Sequence, residues 1–117
     1  MTIEALWTVH FSANGRAANA IIVFKANQLF GGDNQFYYTG TYSLNGRKIV
    51  AKLRARNYGG APQTSLFGNQ ADQEFEVEAS IPTEINVGTV MSGTGKLLSS
   101  APLPSFSFTL TCRVPLP

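Results

Sequence analysis

The feature that most restricts this chain is a period-two alternation of apolar and polar residues, which runs through nearly its whole length and never gives way to a sustained helical period. A strand turns successive side chains to opposite faces, so the pattern calls for sheets with one face in a core and the other outside it. Eight runs carry it: Leu6–Ala13, Asn19–Lys25, Gln28–Gly32, Gln35–Ser43, Arg47–Arg56, Asp72–Ile81, Ile85–Leu98 and Ser105–Val114. In the first, Trp7, Val9 and Phe11 share one face and Thr8, His10 and Ser12 the other. In the second, Ala20, Ile22 and Phe24 line up in the same way.

The punctuation between runs is that of short turns. Asn14-Gly15 and Asn45-Gly46 are two-residue hairpin signals, and Ala26-Asn27 and Asp33-Asn34 mark further tight turns. Asn57 to Asn69 reads as a long irregular loop, Pro82 ends a strand, Gly93 and Gly95 bend the seventh, and Pro102 and Pro104 bracket the last connection. Successive strands with short links pair as antiparallel neighbours. The expected fold is therefore all-β, an antiparallel up-and-down β-barrel of about eight strands, because closure also removes the exposed edges. A two-layer sandwich is the alternative. At 117 residues the chain is read as a single domain spanning 1–117.

The fifth and sixth runs check each other. Lys48, Lys52, Arg54 and Arg56 alternate with Ile49, Ala51, Leu53 and Ala55; Asp72, Glu74, Glu76 and Glu78 alternate with Phe75, Val77, Ala79 and Ile81. Folding the two about the loop near Thr64 sets Arg56 opposite Asp72, Arg54 opposite Glu74 and Lys52 opposite Glu76. One face of the ribbon becomes charge-complementary and the other apolar. Exposed ion pairs contribute little stability, so the value of this ladder lies in fixing register.

A net charge of +2 is too small for a nucleic-acid surface, which needs a dense basic patch. A single cysteine, Cys112, excludes an internal disulfide and a cysteine-based zinc site. Met1-Thr2-Ile3-Glu4 has neither the basic nor the apolar segment of a secretory signal, and no apolar run approaches the ~20 residues of a membrane helix. A cytoplasmic protein with no nucleic-acid or membrane partner is expected.

Little in the chain points to catalysis. His10, the one histidine, falls on the polar face of its strand, and an exposed histidine is the plain reading. Cys112 shares parity with Phe106, Phe108, Leu110 and Val114, which makes it a buried, inert thiol facing away from His10. The four acidic residues of the sixth run face Lys and Arg, so a salt-bridge ladder is favoured over a metal site. Gly93-Thr94-Gly95-Lys96 is a fragment of a phosphate loop without its spacing or its helix. No enzyme, no cofactor and no metal are expected.

Two features hint at binding. Several inward positions are small, among them Ala20, Ala51, Ala55, Ala79, Gly40, Gly93 and Gly95. They leave room for an apolar ligand, with Trp7, Ala51, Ala55, Ala79, Phe106 and Phe108 as candidate cavity lining. The competing reading has Trp7, Phe24, Phe75, Phe106 and Phe108 filling that space. On the other side of the wall, Ile21 and Val23 are apolar at outward positions and Tyr37 extends the patch, a candidate partner or dimer surface.

The segment Gly31-Gly32-Asp33-Asn34-Gln35-Phe36-Tyr37-Tyr38-Thr39-Gly40-Thr41-Tyr42 resembles the GrlR family, negative regulators of bacterial type III secretion, whose members carry a similar Gly-Gly-Asp followed by Tyr-x-Gly-x-Tyr. Trp7-Thr8-Val9-His10-Phe11 and Ser92-Gly93-Thr94-Gly95 are also similar to the family pattern. The resemblance implies a calycin/lipocalin-like barrel, a homodimer, a hydrophobic cavity and a transcriptional regulator as protein partner. The family's contiguous Glu-Asp-Glu-Asp surface motif has no counterpart here; the nearest acidic cluster is Asp72, Glu74, Glu76 and Glu78. The leading expectation is a regulatory interaction module that sequesters a protein partner. The alternative is a carrier or sensor of a small apolar molecule. A hollow apolar interior favours the carrier, and a filled one with an apolar outer patch favours the module.

Overall fold

A computed structural model describes residues 3–13, 16–59, 72–98 and 105–116. The strands are β1 (Ala5–Ala13), β2 (Arg16–Lys25), β3 (Gln28–Gly32), β4 (Phe36–Asn45), β5 (Lys48–Asn57), β6 (Asp72–Ser80), β7 (Val90–Leu97) and β8 (Ser105–Pro115). Each pairs antiparallel with the next, and β8 returns to β1, closing an up-and-down barrel of the calycin/lipocalin type. No helix among the described residues is long and apolar enough to cross a membrane.

Register follows alternation. Arg56 stands opposite Asp72, Arg54 opposite Glu74 and Lys52 opposite Glu76, the pairing that the charge pattern requires. Arg54 hydrogen-bonds Glu74 through Nη2 and lies 3.4 Å from Asp72 through Nε. Lys48 reaches Glu78 at 3.7 Å, while Glu76 takes Lys96 of β7, also at 3.7 Å. The ladder thus runs across three strands rather than two. Closing the barrel makes β7 the second neighbour of β6, and a two-strand view misses that.

The turns depart from the sequence reading in detail. Between β4 and β5 the two turn residues are Gly46 and Arg47, one step later than Asn45-Gly46, with Asn45 and Lys48 as the closing pair. Gly46 has φ +62°, at the position where a type II′ turn takes glycine. Between β2 and β3, Ala26 and Asn27 both have positive φ, 53° and 65°, the pattern of a type I′ turn. The Ala26 N–H donates to Glu4 Oε2 at 2.7 Å and Tyr42 N–H to the Asn27 carbonyl at 3.0 Å, so the turn is held from both sides. The Asn14-Gly15 turn, residues 60–71 of the long loop with its fold point near Thr64, and Pro102 with Pro104 lie outside the described residues.

The seventh strand is shorter than Ile85–Leu98. Asn86 to Thr89 form a turn, with Thr89 N–H bonded to the Asn86 carbonyl at 2.9 Å and Gly88 at φ +93°. That turn is stitched to β8 by Gly88 N–H to Cys112 O and Cys112 N–H to Thr89 O. Ile85 is buried at the foot of the barrel, and its burial mimics a strand residue in sequence.

That foot is the solid part of the core. Trp7, Met91 and Cys112 are essentially inaccessible there, with Ile3, Ala5 and Ile85 packed about them. The Trp7 indole N–H donates to the Ile3 carbonyl at 3.0 Å, which satisfies a buried donor and pulls the first described residue across the end.

Candidate functional site

Above this floor the lumen is hollow. A cavity of about 490 Å³ runs from Phe24, Leu29 and Ile49 near the floor to the loop Asp33–Gln35 that joins β3 to β4 at the opposite end. Its size is that of a small-molecule site. Of the candidate lining residues, Ala51, Ala55, Ala79, Phe106 and Phe108 border it; Trp7 does not. The indole belongs to the floor, where its N–H is tied to Ile3 and its ring is fully buried. Period-two parity gives the face of Trp7 correctly but not its height along the axis.

Small residues and large ones cooperate in keeping the lumen open. Gly93 and Gly95 of β7 stand opposite Phe108 and Phe106 of β8. A Cβ on Gly95 would come within 2.6 Å of Phe106 Cζ, and one on Gly93 within 2.6 Å of Phe108 Cζ. The two rings therefore lie over the glycines, against the wall, instead of crossing the centre. Phe106 continues a wall of aromatic contacts, edge-on to Phe75 at 5.7 Å and tilted against Phe11 at 6.4 Å. Across the barrel, Ala18 and Ala20 of β2 and Ala51 and Ala55 of β5 add wall without bulk. The phenylalanines and the small residues are thus complementary parts of one hollow wall. Gly40 serves another purpose: a Cβ there would collide with the Lys52 carbonyl at 2.2 Å, so it permits close backbone approach to β5.

The far end is polar, and Asp33 organises it. Its Oδ1 accepts the Gln35 and Phe36 N–H groups at 2.8 and 2.7 Å, an Asx turn that starts β4. Its Oδ2 accepts the Tyr38 hydroxyl at 2.6 Å, and its carbonyl accepts the Tyr58 hydroxyl. Burial, followed by the Asp33 hydrogen bond and charge, pushes the Tyr38 hydroxyl far above the usual phenol range, so it stays a neutral donor. Asn34, Gln35 and Gln73 add polar groups to the lining at this end. The Gly-Gly-Asp element thereby has a physical task, to build the rim of the cavity. The sequence reading gave Asp33 only a turn; its tie to Tyr38, five residues on, follows once both face the same lumen.

The outer wall carries the second candidate. Ile21 is 48% exposed, Tyr37 42% exposed and Val23 half-buried, so all three face outward. Register joins them to neighbours that the sequence reading left out: Val23 pairs with Leu6 on one side and Phe30 on the other, and Leu6 pairs with Val114. Phe30 and Val114 are about half exposed. The result is an apolar band across β8, β1, β2 and β3, on the side of the barrel away from the charge ladder.

His10 is exposed, its Nδ1 3.0 Å from Asn19 Oδ1, whereas Cys112 is buried in the floor, where burial pushes its thiol up. The two point to opposite faces of the wall. Among the described residues no group of three or more His, Cys, Asp or Glu side chains could hold a metal ion. Compared with known proteins, the chain matches no family model and no curated sequence.

Proposed function

We propose that this protein binds a small apolar molecule in the lumen of its barrel, as a carrier or sensor. The observation that supports the reading is the cavity of about 490 Å³, walled by alanine, valine, leucine and phenylalanine side chains and capped at one end by polar groups. Burying apolar ligand surface stabilises a complex by roughly 25 cal/mol per Å², so a wall of this kind favours hydrocarbon over water. The test is titration with the apolar dye N-phenyl-1-naphthylamine, for the native protein and for Ala51→Phe, which sets a ring into the lumen. Blue-shifted, saturable fluorescence with one site per chain is expected for the native protein and its loss in the folded variant. A dye that fails to bind the native protein defeats the reading.

A second reading rests on the outer apolar band of Leu6, Ile21, Val23, Phe30 and Val114. It takes the protein as a regulatory module that sequesters a protein partner, as the likeness to the GrlR family suggests, with the band as partner or homodimer surface. Sedimentation of the native protein beside the double variant Ile21→Lys, Val23→Lys tests it. A dimer that becomes a folded monomer supports the band as interface; a native monomer at high concentration rejects a homodimer. Either role suits a cytoplasmic location, where a lone thiol such as Cys112 stays reduced.

A further inference from the structure

Resting on the lumen reading, the chemistry of the polar end narrows the ligand. We infer that the cavity selects an amphiphile whose head group donates hydrogen bonds and carries no negative charge, an alcohol, amide or ammonium rather than a carboxylate or phosphate.

The cavity is bordered by no Lys, Arg or His side chain among the described residues. Its polar end instead presents the Asp33 carboxylate with the amides of Asn34, Gln35 and Gln73. Asp33 has no ion-pair partner among the described residues; the donors it meets are two backbone N–H groups and the Tyr38 hydroxyl, all neutral. An anionic head carried to this end would lose its hydration and meet a like charge, with no cation among the described lining residues to offset either cost. A cationic head instead meets an attractive charge, since a carboxylate offers about four acceptor sites and the Tyr38 hydroxyl leaves room on Oδ2 for a further donor. A hydroxyl or amide suits the site, since neutral amides both donate and accept.

The backbone of Arg16 opens β2 at this end, so Arg16→Gln serves as the control for an anion site.

The experiment is competition against bound N-phenyl-1-naphthylamine by three ligands of one chain length at neutral pH: 1-decanol, decanoate and decylammonium. The expected result is that 1-decanol and decylammonium each displace the dye at concentrations at least tenfold lower than decanoate. Asp33→Asn, which keeps the carbonyl oxygen of the Asx turn, should narrow the gap between decanoate and 1-decanol several-fold. If the dye binds but decanoate competes as well as 1-decanol, or decylammonium as poorly as decanoate, the head-group inference is overturned and the lumen remains a ligand site. Decanoate binding that is tight in the native protein and lost in Arg16→Gln overturns it by the same measure, by identifying an anion site. If neither the dye nor any of the three ligands binds, the lumen reading fails and the inference with it.

Discussion

Two residues show how local chemistry is traded against the needs of the barrel. Ala26 holds φ +53° in the turn between β2 and β3, a left-handed conformation that costs a non-glycine residue roughly 1–2 kcal/mol. Its N–H is nonetheless fixed by Glu4, and its side chain is exposed. Ala26→Gly should therefore stabilise the protein by about 0.5–1 kcal/mol, the relief of strain less the entropy glycine gains when unfolded, as read from the urea midpoint. A destabilised variant would show that the turn is not under strain. Tyr38 makes the opposite case. Its folded hydroxyl stays protonated above the range near 10 where an unfolded tyrosine ionises. The stability this contributes is fully present below that pH and declines above it, by about 1.4 kcal/mol per pH unit for one such group. Tyr38→Phe should flatten that alkaline decline. It should also cost about 1–3 kcal/mol at neutral pH by leaving Asp33 Oδ2 without its donor. Denaturant unfolding of both proteins across pH 7–11 checks the two effects together.

At the scale of elements, strand pairing was legible in sequence wherever charge or turn residues broke the symmetry of alternation. Arg54 and Glu74 fix the register of β5 on β6 because a one-residue slip would turn one of the two into the lumen. The end of β7 was not legible, since Ile85 is as buried as a strand residue while Gly88 turns the chain between it and Val90. Nor did composition reveal which glycines hold backbone and which hold rings. Gly93 and Gly95 separate these roles. A methyl on Gly95 meets the ends of side chains, Phe106 and Val77, whereas one on Gly93 also meets the Glu78 carbonyl at 2.2 Å. Gly93→Ala should destabilise the barrel by about 1–3 kcal/mol, the usual cost of overpacking, and by more than Gly95→Ala. Gly95→Ala should instead push the Phe106 ring inward and weaken dye binding. Equal losses of stability, with binding intact in Gly95→Ala, would show that the rings do not depend on the glycines for their place on the wall.

At the scale of the whole molecule, alternation sufficed for a closed barrel but not for its contents. Whether Phe106 and Phe108 fill the lumen or line it depends on where their rings lie, and β7 decides that, not β8. The height of Trp7 depends on Ile3, a residue beyond the predicted strand. The outer band escaped a strand-by-strand reading for a related reason: Leu6, Phe30 and Val114 join Ile21 and Val23 only when four strands are laid side by side. The central claim is that the hollow lumen is a binding site. Native mass spectrometry of the protein purified from its own host measures this most directly, beside the Ala51→Phe variant prepared in parallel. The account predicts one small molecule retained per barrel in the native protein, released by organic solvent, and none in the folded variant. A native barrel that carries no ligand and also refuses the dye, or a variant that retains the same added mass, would contradict it.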